Sequence, residues 1–284
     1  PDVQEEMIKT IPGLENAHIL RYGYAIEYDY LPPTQLYPTL ESKLVENLFF
    51  AGQINGTSGY EEAAGQGIVA GINAAAKVLL LPEFIPQKTD SYIGVMITDL
   101  TTYGVSEPYR LFTSKAEFRL HLRHSNADRR LAHYAYRYGT ISKERFEKIT
   151  QKEKTINDIK SYLKTKFHGQ KKLSQILCQK DVSFSDIEKI DSYLQTFNLS
   201  NEIKKEIEIE IKYEGYIERS LKSIEKMKKL YEKIIPANFD YFKIPHLRFE
   251  AKEKLSAAKP KTIYQASCIS GITPADIMTI LLHL

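Results

Sequence analysis

Residues 49–78 read FFAGQINGTSGYEEAAGQGIVAGINAAAKV. The apolar run 48–51 is typical of a short strand, and it stops at Gly52. A loop of small polar residues follows. From Gly59 onward, alanines, glycines and branched aliphatic residues recur at helical spacing, with acidic residues in the first turn. The stretch therefore predicts a strand, a tight loop and the N-terminus of a helix.

The N-terminus of such a helix can bind a ligand. It presents unpaired backbone N–H groups and the positive end of the helix dipole, which suit a phosphate or an electron-rich ligand edge. Gly65, Gly67 and Gly71 would let the helix approach a neighbour closely, at a cost of about 1 kcal/mol each in helix propensity. From these residues alone, a ligand-cradling turn and a plain packing helix behind a buried strand both remain open.

Residues 51–64, AGQINGTSGYEEAA, resemble the late flavin-contacting segment of the FAD-dependent tRNA uridine-5-carboxymethylaminomethyl modification enzymes, the MnmG/GidA family. Residues 21–30 and 38–43 are similar to the family segment that precedes it. In that family the glutamine matching Gln53 contacts FAD, and the loop after it closes over the flavin. The resemblance therefore implies a set of FAD-binding residues, namely Gly52, Gln53, Asn55, Gly59, Tyr60 and Glu61.

Composition sets wider bounds on the chain. Its 284 residues, 43% of them hydrophobic, can bury a sizeable core in about two domains, and the net charge is only +3. Cys178 and Cys268 lie far apart without a CxxC motif, which indicates neither a disulfide framework nor a metal site. Reduced cysteines fit a bacterial cytoplasm, although a mitochondrial origin stays open because a transit peptide would lie upstream. No apolar run approaches the roughly 18 residues of a membrane span, so we expect no membrane contact.

The domain organisation follows from the resemblance. Residues 1–88 contain no GxGxxG fingerprint, so most of the FAD domain, including the family's functional cysteines, is expected upstream. The predicted fold is mainly α, with the C-terminal remnant of an α/β Rossmann-type FAD-binding domain followed by an α-helical C-terminal domain. We divide it into the FAD-domain remnant (1–88), a helical linker and tRNA-cleft region (89–205) and a helical partner-binding domain (206–284).

The aromatic segment 18–30 predicts one or two strands that end at the prolines 32 and 33. Its tyrosines, Tyr24, Tyr28 and Tyr30, are interpreted as sheet-packing residues rather than as substrate stackers.

Basic residues dominate positions 110–137, where seven lysines and arginines oppose only Glu117 and Asp128. Residues 90–137 are predicted to form a set of short helices, with Ser114 as the N-cap of a helix that carries Glu117. Arginines interleaved with aromatic rings suit RNA, because guanidinium groups bind phosphate and rings stack on bases. A solvated helix face with ordinary ion pairs is the alternative.

Residues 99–102 (DLTT), 107–110 (EPYR), 116–120 (AEFRL) and 126–128 (NAD) are similar to a family block that borders the active-site cleft. The resemblance implies tRNA binding by Arg110 and Arg119 first, and by Arg123 as well.

From residue 142 the chain reads as almost entirely helical. We predict helices over 142–166, 174–199, 202–235, 247–258 and 263–270, with a break at Gly169, and a last helix capped by Thr273 that runs to Leu284. The apolar last helix implies burial or a partner groove. Residues 265–267, 269–271 and 281–284 resemble the family's terminal motif, which implies docking of the partner GTPase MnmE.

The resemblance implies an enzyme that builds an aminomethyl or carboxymethylaminomethyl group at C5 of the wobble uridine of tRNA. It would use FAD, NADH as reductant and a folate-derived one-carbon unit, and would work as a homodimer in a heterotetramer with MnmE. No catalytic residue can be named in this chain, which alone is expected to be inactive. The alternatives are a non-catalytic tRNA- and GTPase-binding module, and a folate- and FAD-dependent tRNA uridine methyltransferase, against which the extension 142–284 argues.

Overall fold

Helices form most of the fold in the computed structural model, which describes residues 1–25, 27–231, 233–267, 269 and 271–284, with the side chains of residues 230 and 231 left out. Ile26, Glu232, Cys268 and Ser270 therefore lie outside the described residues. The α-helices are α1 (Asp2–Lys9), α2 (Tyr60–Val78), α3 (Tyr92–Thr98), α4 (Ala127–Arg137), α5 (Lys143–Thr165), α6 (Leu173–Leu177), α7 (Phe184–Ile190), α8 (Asn201–Lys212), α9 (Glu214–Tyr231), α10 (Phe249–Ala258), α11 (Ile263–Ser267) and α12 (Pro274–Leu281). The strands β1 (Phe167–His168) and β2 (Lys171–Lys172) form an antiparallel hairpin.

Three large hydrophobic clusters of the described residues hold most of these elements, and a smaller fourth cluster groups Val95, Ala116 and Leu122. The first packs α2 and α3 against the loop around the fully buried Leu40. The second joins α5 to α8 around Ile156, Leu163 and Phe184. The third joins α10, α11 and α12 to the segment 235–247. Each cluster buries the apolar stripe of several short helices that could not be stable alone in water.

The predicted strands at 18–30 and 48–51 are wrong for the described residues. Residues 48–51 make one isolated antiparallel bridge, Glu41 to Phe49, with hydrogen bonds from Ser42 N to Leu48 O (2.8 Å) and from Phe50 N to Leu40 O (3.0 Å). Extended, aromatic-rich backbone becomes a strand only where a neighbouring strand continues the ladder, and the described part of the chain supplies none here.

The tyrosines of the first segment are consequently not packed on a sheet. Tyr24 is 87% exposed, and Tyr28 and Tyr30 are also exposed. Tyr28 and Tyr30 instead line a cavity of about 190 Å³ with Gly56 and Val105.

Two helix predictions also need correction. Ser114 caps no helix, because Thr113–Lys115 is a single 3-10 turn followed by further turns through residue 121. The long helix predicted over 202–235 is divided at Tyr213 into α8 and α9. The short helices predicted in 90–137 are confirmed by α3, α4 and the intervening turns.

The predicted cap of the last helix is confirmed, and the structure adds an ion pair between its buried carboxylate and a half-exposed arginine. Thr273 Oγ1 accepts from Asp276 N–H (3.3 Å), and the Asp276 carboxylate accepts from Thr273 N–H (2.8 Å) and Oγ1–H (2.7 Å). Arg248 reaches the same carboxylate, with Nε 3.1 Å from Oδ1 and Nη2 2.5 Å from Oδ2. Burial raises the pKa of Asp276, but the bonds from Arg248 and Thr273 outweigh it and lower the pKa to about 2.

We therefore expect Asp276→Asn to cost about 2 kcal/mol of stability above pH 4, because a folded-state pKa below the unfolded value stabilises the charged form. The stabilisation is present above the unfolded pKa and is lost as pH falls toward the folded pKa of about 2. The difference between wild type and variant in urea unfolding should thus shrink between about pH 4 and pH 2. Asp158→Asn, at an exposed position of α5 without described polar contacts, is the control. A difference that stays constant with pH would contradict the expectation.

Candidate functional site

The loop before α2 is shaped by two glycines with positive φ. Gly52 has φ +91° and Gly56 has φ +80°, a region that glycine adopts readily. Between them, Gln53–Asn55 forms one 3-10 turn, and Gly59 then begins α2. This confirms the predicted tight loop and helix N-terminus.

The buried carboxamide of Gln66 holds the loop in place. Its Oε1 accepts from Gly52 N–H (3.1 Å) and Asn55 Nδ2 (2.8 Å). Its Nε2 donates to Thr57 Oγ1 (3.0 Å) and to Glu62 O (3.1 Å). Since Gln66 is fully buried, all four bonds are made away from water, and the loop backbone has one favoured conformation.

Sequence reasoning did not assign a role to Gln66. Its signal was available: an amide side chain one helical turn after Glu62, on the buried helix face that also carries Gly65, Val69, Ala70, Asn73 and Ala76. A buried amide on such a face needs partners, because an unpaired buried polar group is costly.

The six predicted FAD-binding residues fall into two groups. Gly52 and Asn55 are buried inside the loop, and Gly59 is half-buried at the helix start. Gln53, Tyr60 and Glu61 lie on the outer surface, where Tyr60 is 94% exposed.

The outer surface can accept an external ligand. No described residue accepts a hydrogen bond from the backbone N–H of Tyr60 or Glu61, and Gly59 gives α2 no side-chain cap. The buried Asn55 Oδ1 also has no partner among the described residues. Free helix N–H groups beside the exposed Gln53 amide and the exposed Tyr60 ring suit the polar edge of a planar cofactor. The residues present therefore fit the flavin contact that the resemblance implies.

A buried carboxylate ties this loop to the arginine segment. Glu62 is 3% exposed, and its Oε1 accepts from Leu111 N–H (2.8 Å) and Arg110 Nε (3.3 Å). Burial raises the pKa of Glu62, but the Leu111 N–H, its own N–H and Arg110 together lower it below its usual value. Backbone bonds from Tyr109 N to Gly56 O (2.8 Å) and from Ser58 N to Tyr109 O (3.3 Å) complete the junction.

Arg110 and Arg119 keep the most accessible guanidinium groups of the predicted tRNA-binding residues. The Arg110 side chain is 55% exposed despite its bond to Glu62. Arg119 is exposed and has no acidic partner among the described residues. It lines a groove of about 680 Å³ together with Arg123, His124 and Lys205.

Arg123 and Arg129 point into the protein. The Arg123 guanidinium contacts Glu206, and its side chain is only 12% exposed. Arg129 contacts Glu153 (2.7 Å) and Glu206 (2.6 Å). The structure thus places Arg123 at the groove with its charge already paired.

The local basic surface predicted for 110–137 is therefore only partly free, because several of its charges are already paired. Lys115 pairs with Asp99 at 3.1 Å, and Arg130 is bound to Asn126 Oδ1 (2.9 Å) and to the Arg123 carbonyl (3.1 Å). Counting charges in one stretch missed acidic partners from outside that stretch: Glu62, Asp99, Glu153, Glu206 and Glu210.

Three family models match the chain. "Glucose inhibited division protein A" matches residues 1–81, "tRNA modifying enzyme MnmG/GidA C-terminal helical domain" matches 143–221 and "tRNA modifying enzyme MnmG/GidA C-terminal helical bundle" matches 223–284. The loop remnant and the helical extension thus define the C-terminal part of a GidA-type protein. The predicted fold class, mainly α with a helical C-terminal domain, is confirmed.

Curated relatives and solved structures agree with these matches. The chain is 48% identical to the tRNA uridine 5-carboxymethylaminomethyl modification enzyme MnmG of Geobacillus kaustophilus, covering 99% of this chain and 48% of the relative. It is also 48% identical to the enzyme of that name from Listeria innocua, covering 100% of this chain and 48% of the relative. The structure of Aquifex aeolicus GidA in one crystal form matches with TM-score 0.77 and 47% identity over 99% of this chain and 46% of that chain. The chain belongs to the MnmG/GidA family and spans about half the length of the curated relatives that it matches.

Within the described ranges, no group of three or more His, Cys, Asp or Glu side chains is arranged to hold a metal ion. No helix in those ranges is long and apolar enough to cross a membrane.

Gly59→Ala should loosen the junction between loop and arginine segment. A Cβ at residue 59 would lie 1.7 Å from Glu62 Oε2, so the carboxylate must leave its bonds to Leu111 and Arg110. We expect a loss of about 2 kcal/mol in urea unfolding, because hydrogen bonds to a buried charge are broken.

The matched control is Gly67→Ala in the same helix, where a Cβ meets no atom within 4 Å. That change should be neutral or stabilising by up to about 1 kcal/mol, because alanine is the better helix former. Equal effects of the two substitutions would show that Glu62 does not depend on the space at residue 59.

Proposed function

We propose that this chain is the C-terminal half of an enzyme that builds an aminomethyl or carboxymethylaminomethyl group at C5 of the wobble uridine of tRNA. The proposal rests on membership of the MnmG/GidA family and on the name shared by its relatives. The observation that carries it is the junction at Glu62, where a ligand-accepting loop and an exposed arginine meet. Such a junction would bring a cofactor and an RNA to one place.

FAD is the proposed cofactor, with NADH as its reductant and a folate-derived unit as the one-carbon source. When bound, FAD would supply redox chemistry and carry the one-carbon unit. Gln53 and the N–H groups of Tyr60 and Glu61 would contact it, while Gly52, Asn55 and Gln66 fix the loop behind them. No side chain described here is assigned as acid, base or nucleophile.

The tRNA contacts are assigned to Arg110 and Arg119. Both guanidinium groups reach solvent and could bind phosphate in a bidentate manner. Arg123 was predicted to contact tRNA as well. Because Glu206 already pairs with it, we propose that Arg123 mainly positions α8 beside the groove.

The partner GTPase MnmE is proposed to dock on the C-terminal helices, where Met278 is 57% and Leu282 is 80% exposed. A homodimer within a heterotetramer with MnmE, a cytoplasmic location and the domain limits 1–88, 89–205 and 206–284 stay predictions. The methyltransferase alternative loses support, since both MnmG/GidA helical models match the extension. The non-catalytic module remains for experiment to decide.

Gln53→Ala should weaken FAD binding about tenfold in the full-length protein, because a side-chain hydrogen bond to the cofactor is removed. Flavin fluorescence quenching measures the affinity, and Gln151→Ala on the exposed face of α5 is the control. Unchanged affinity would remove Gln53 from the flavin site. A full-length protein that binds no flavin at all would instead favour the non-catalytic module.

The Arg110→Ala, Arg119→Ala double variant should bind tRNA with a weaker salt dependence. Each lost phosphate contact lowers the slope of log K against log salt by roughly one unit, so we expect a fall of about one to two. The measurement is a filter-binding or fluorescence titration of this chain with tRNA over a salt series.

The charge-matched control is Arg145→Ala, Arg219→Ala, which removes two exposed arginines on α5 and α9. Identical slopes for both double variants would mean that the 110–119 segment contributes no specific phosphate contact.

A further inference from the structure

The hairpin β1–β2 lies within a stretch of the chain that is rich in lysine and lacks acidic residues. Residues 159–180 contain six lysines and no aspartate or glutamate. Lys160 pairs with Glu210 (2.5 Å), and Lys164 pairs with Glu214. These two partners belong to α8 and α9 and neutralise only the base of the hairpin.

Toward its tip the hairpin has no such neutralisation. Lys166, Lys171 and Lys172 find no acidic side chain among the described residues. Lys166 and Lys171 are exposed, and Lys172 is half-buried. Gly169 turns the chain with φ +60° and has open space around it, so the tip protrudes.

The pairing register gives each face of the hairpin one ring and one lysine. Phe167 stands opposite Lys172, and His168 stands opposite Lys171. Opposed residues share a face, and successive residues alternate between faces. Phe167 is 56% exposed, with Lys172 Nζ 5.8 Å from the centre of its ring.

This arrangement carries two small costs in the isolated chain. Neighbouring ammonium groups without acidic partners repel each other, and Phe167 remains more than half exposed to water despite its contact with Lys172. A polyanion with flat bases would relieve both costs, since phosphates pair with the lysines and bases stack on the rings. A membrane surface is less well matched, because the hairpin lacks the broad apolar face that interfacial elements insert.

We propose that the hairpin at 167–172, with Lys166, is a second RNA-contacting element, separate from Arg110 and Arg119. It binds tRNA phosphates through Lys166, Lys171 and Lys172 and stacks an unpaired base on Phe167. The inference rests on the proposed function, in which tRNA is the substrate.

The test is a salt series of tRNA binding by the full 284-residue chain, with an unmodified transcript whose anticodon begins with uridine as the probe. The Lys166→Ala, Lys171→Ala, Lys172→Ala variant should bind at least about tenfold more weakly near 0.1 M salt, with a slope lower by about two to three. The charge-matched control removes exposed lysines of α5: Lys143→Ala, Lys148→Ala, Lys154→Ala.

Substitutions at Phe167 distinguish the contribution of base stacking from that of charge. Phe167→Ala should weaken binding about fivefold or more without changing the salt slope, and Phe167→Tyr should restore it, because tyrosine keeps a stacking ring. Lys166, Lys171 and Phe167 are exposed and Lys172 is half-buried. Circular dichroism and the melting temperature check that each variant is folded before its binding is compared.

The outcomes separate this inference from the function on which it rests. Hairpin and control variants with equal slopes, beside a wild type that binds tRNA, overturn the hairpin and leave the function standing. A wild type that binds no tRNA at low salt overturns the RNA role of both elements. Binding to phosphatidylserine vesicles that depends on the three lysines, with tRNA binding unaffected, assigns the hairpin to a membrane and overturns the inference.

Discussion

The Gln66 carboxamide is the interaction on which the geometry of the loop depends. Its two polar atoms serve Gly52, Asn55, Thr57 and the Glu62 carbonyl, all in a water-free interior. Breaking any of these hydrogen bonds would leave a buried donor or acceptor unpaired. The free-energy cost of that unpaired group is larger than the net stabilisation that the bond provides. The loop is thus held from behind, by the helix that follows it, and its outer surface stays free for a ligand.

Glu62 is a second buried polar side chain whose hydrogen bonds fix the position of a distant segment. One carboxylate accepts bonds from Leu111 and Arg110, about fifty residues away in sequence, and Gly59 leaves it the space to do so. A charged group that is both buried and paired fixes position more strictly than apolar contact, because a shifted carboxylate loses its partners. Arg110 is therefore held beside the loop while most of its own side chain remains in water.

Structural features could be predicted from the sequence where the interacting residues lie close together along the chain. The start of α2 and the Thr273 cap were predictable because their signals lie within three or four residues. The outcome at 18–30 and 48–51, where strands were predicted, was not predictable, because strand formation depends on a partner strand that a local pattern cannot reveal. The helix pattern could mark Gln66 as a buried amide that needs partners, but it could not name those partners, which include loop residues up to fourteen positions earlier.

The arginine block shows where a local count of charge fails and where it succeeds. Between 110 and 137 the basic residues outnumber the acidic ones in sequence, yet helices α5 and α8 bring glutamates onto Arg123 and Arg129. A residue inside a packed interface meets partners from any part of the chain. A protruding hairpin meets few, so its surplus of lysines in sequence persists as a surplus of charge in space. Electrostatic attraction of a polyanion depends on the charge that remains unpaired. The hairpin therefore suits RNA binding along its whole length, whereas in the larger arginine block only Arg110 and Arg119 do.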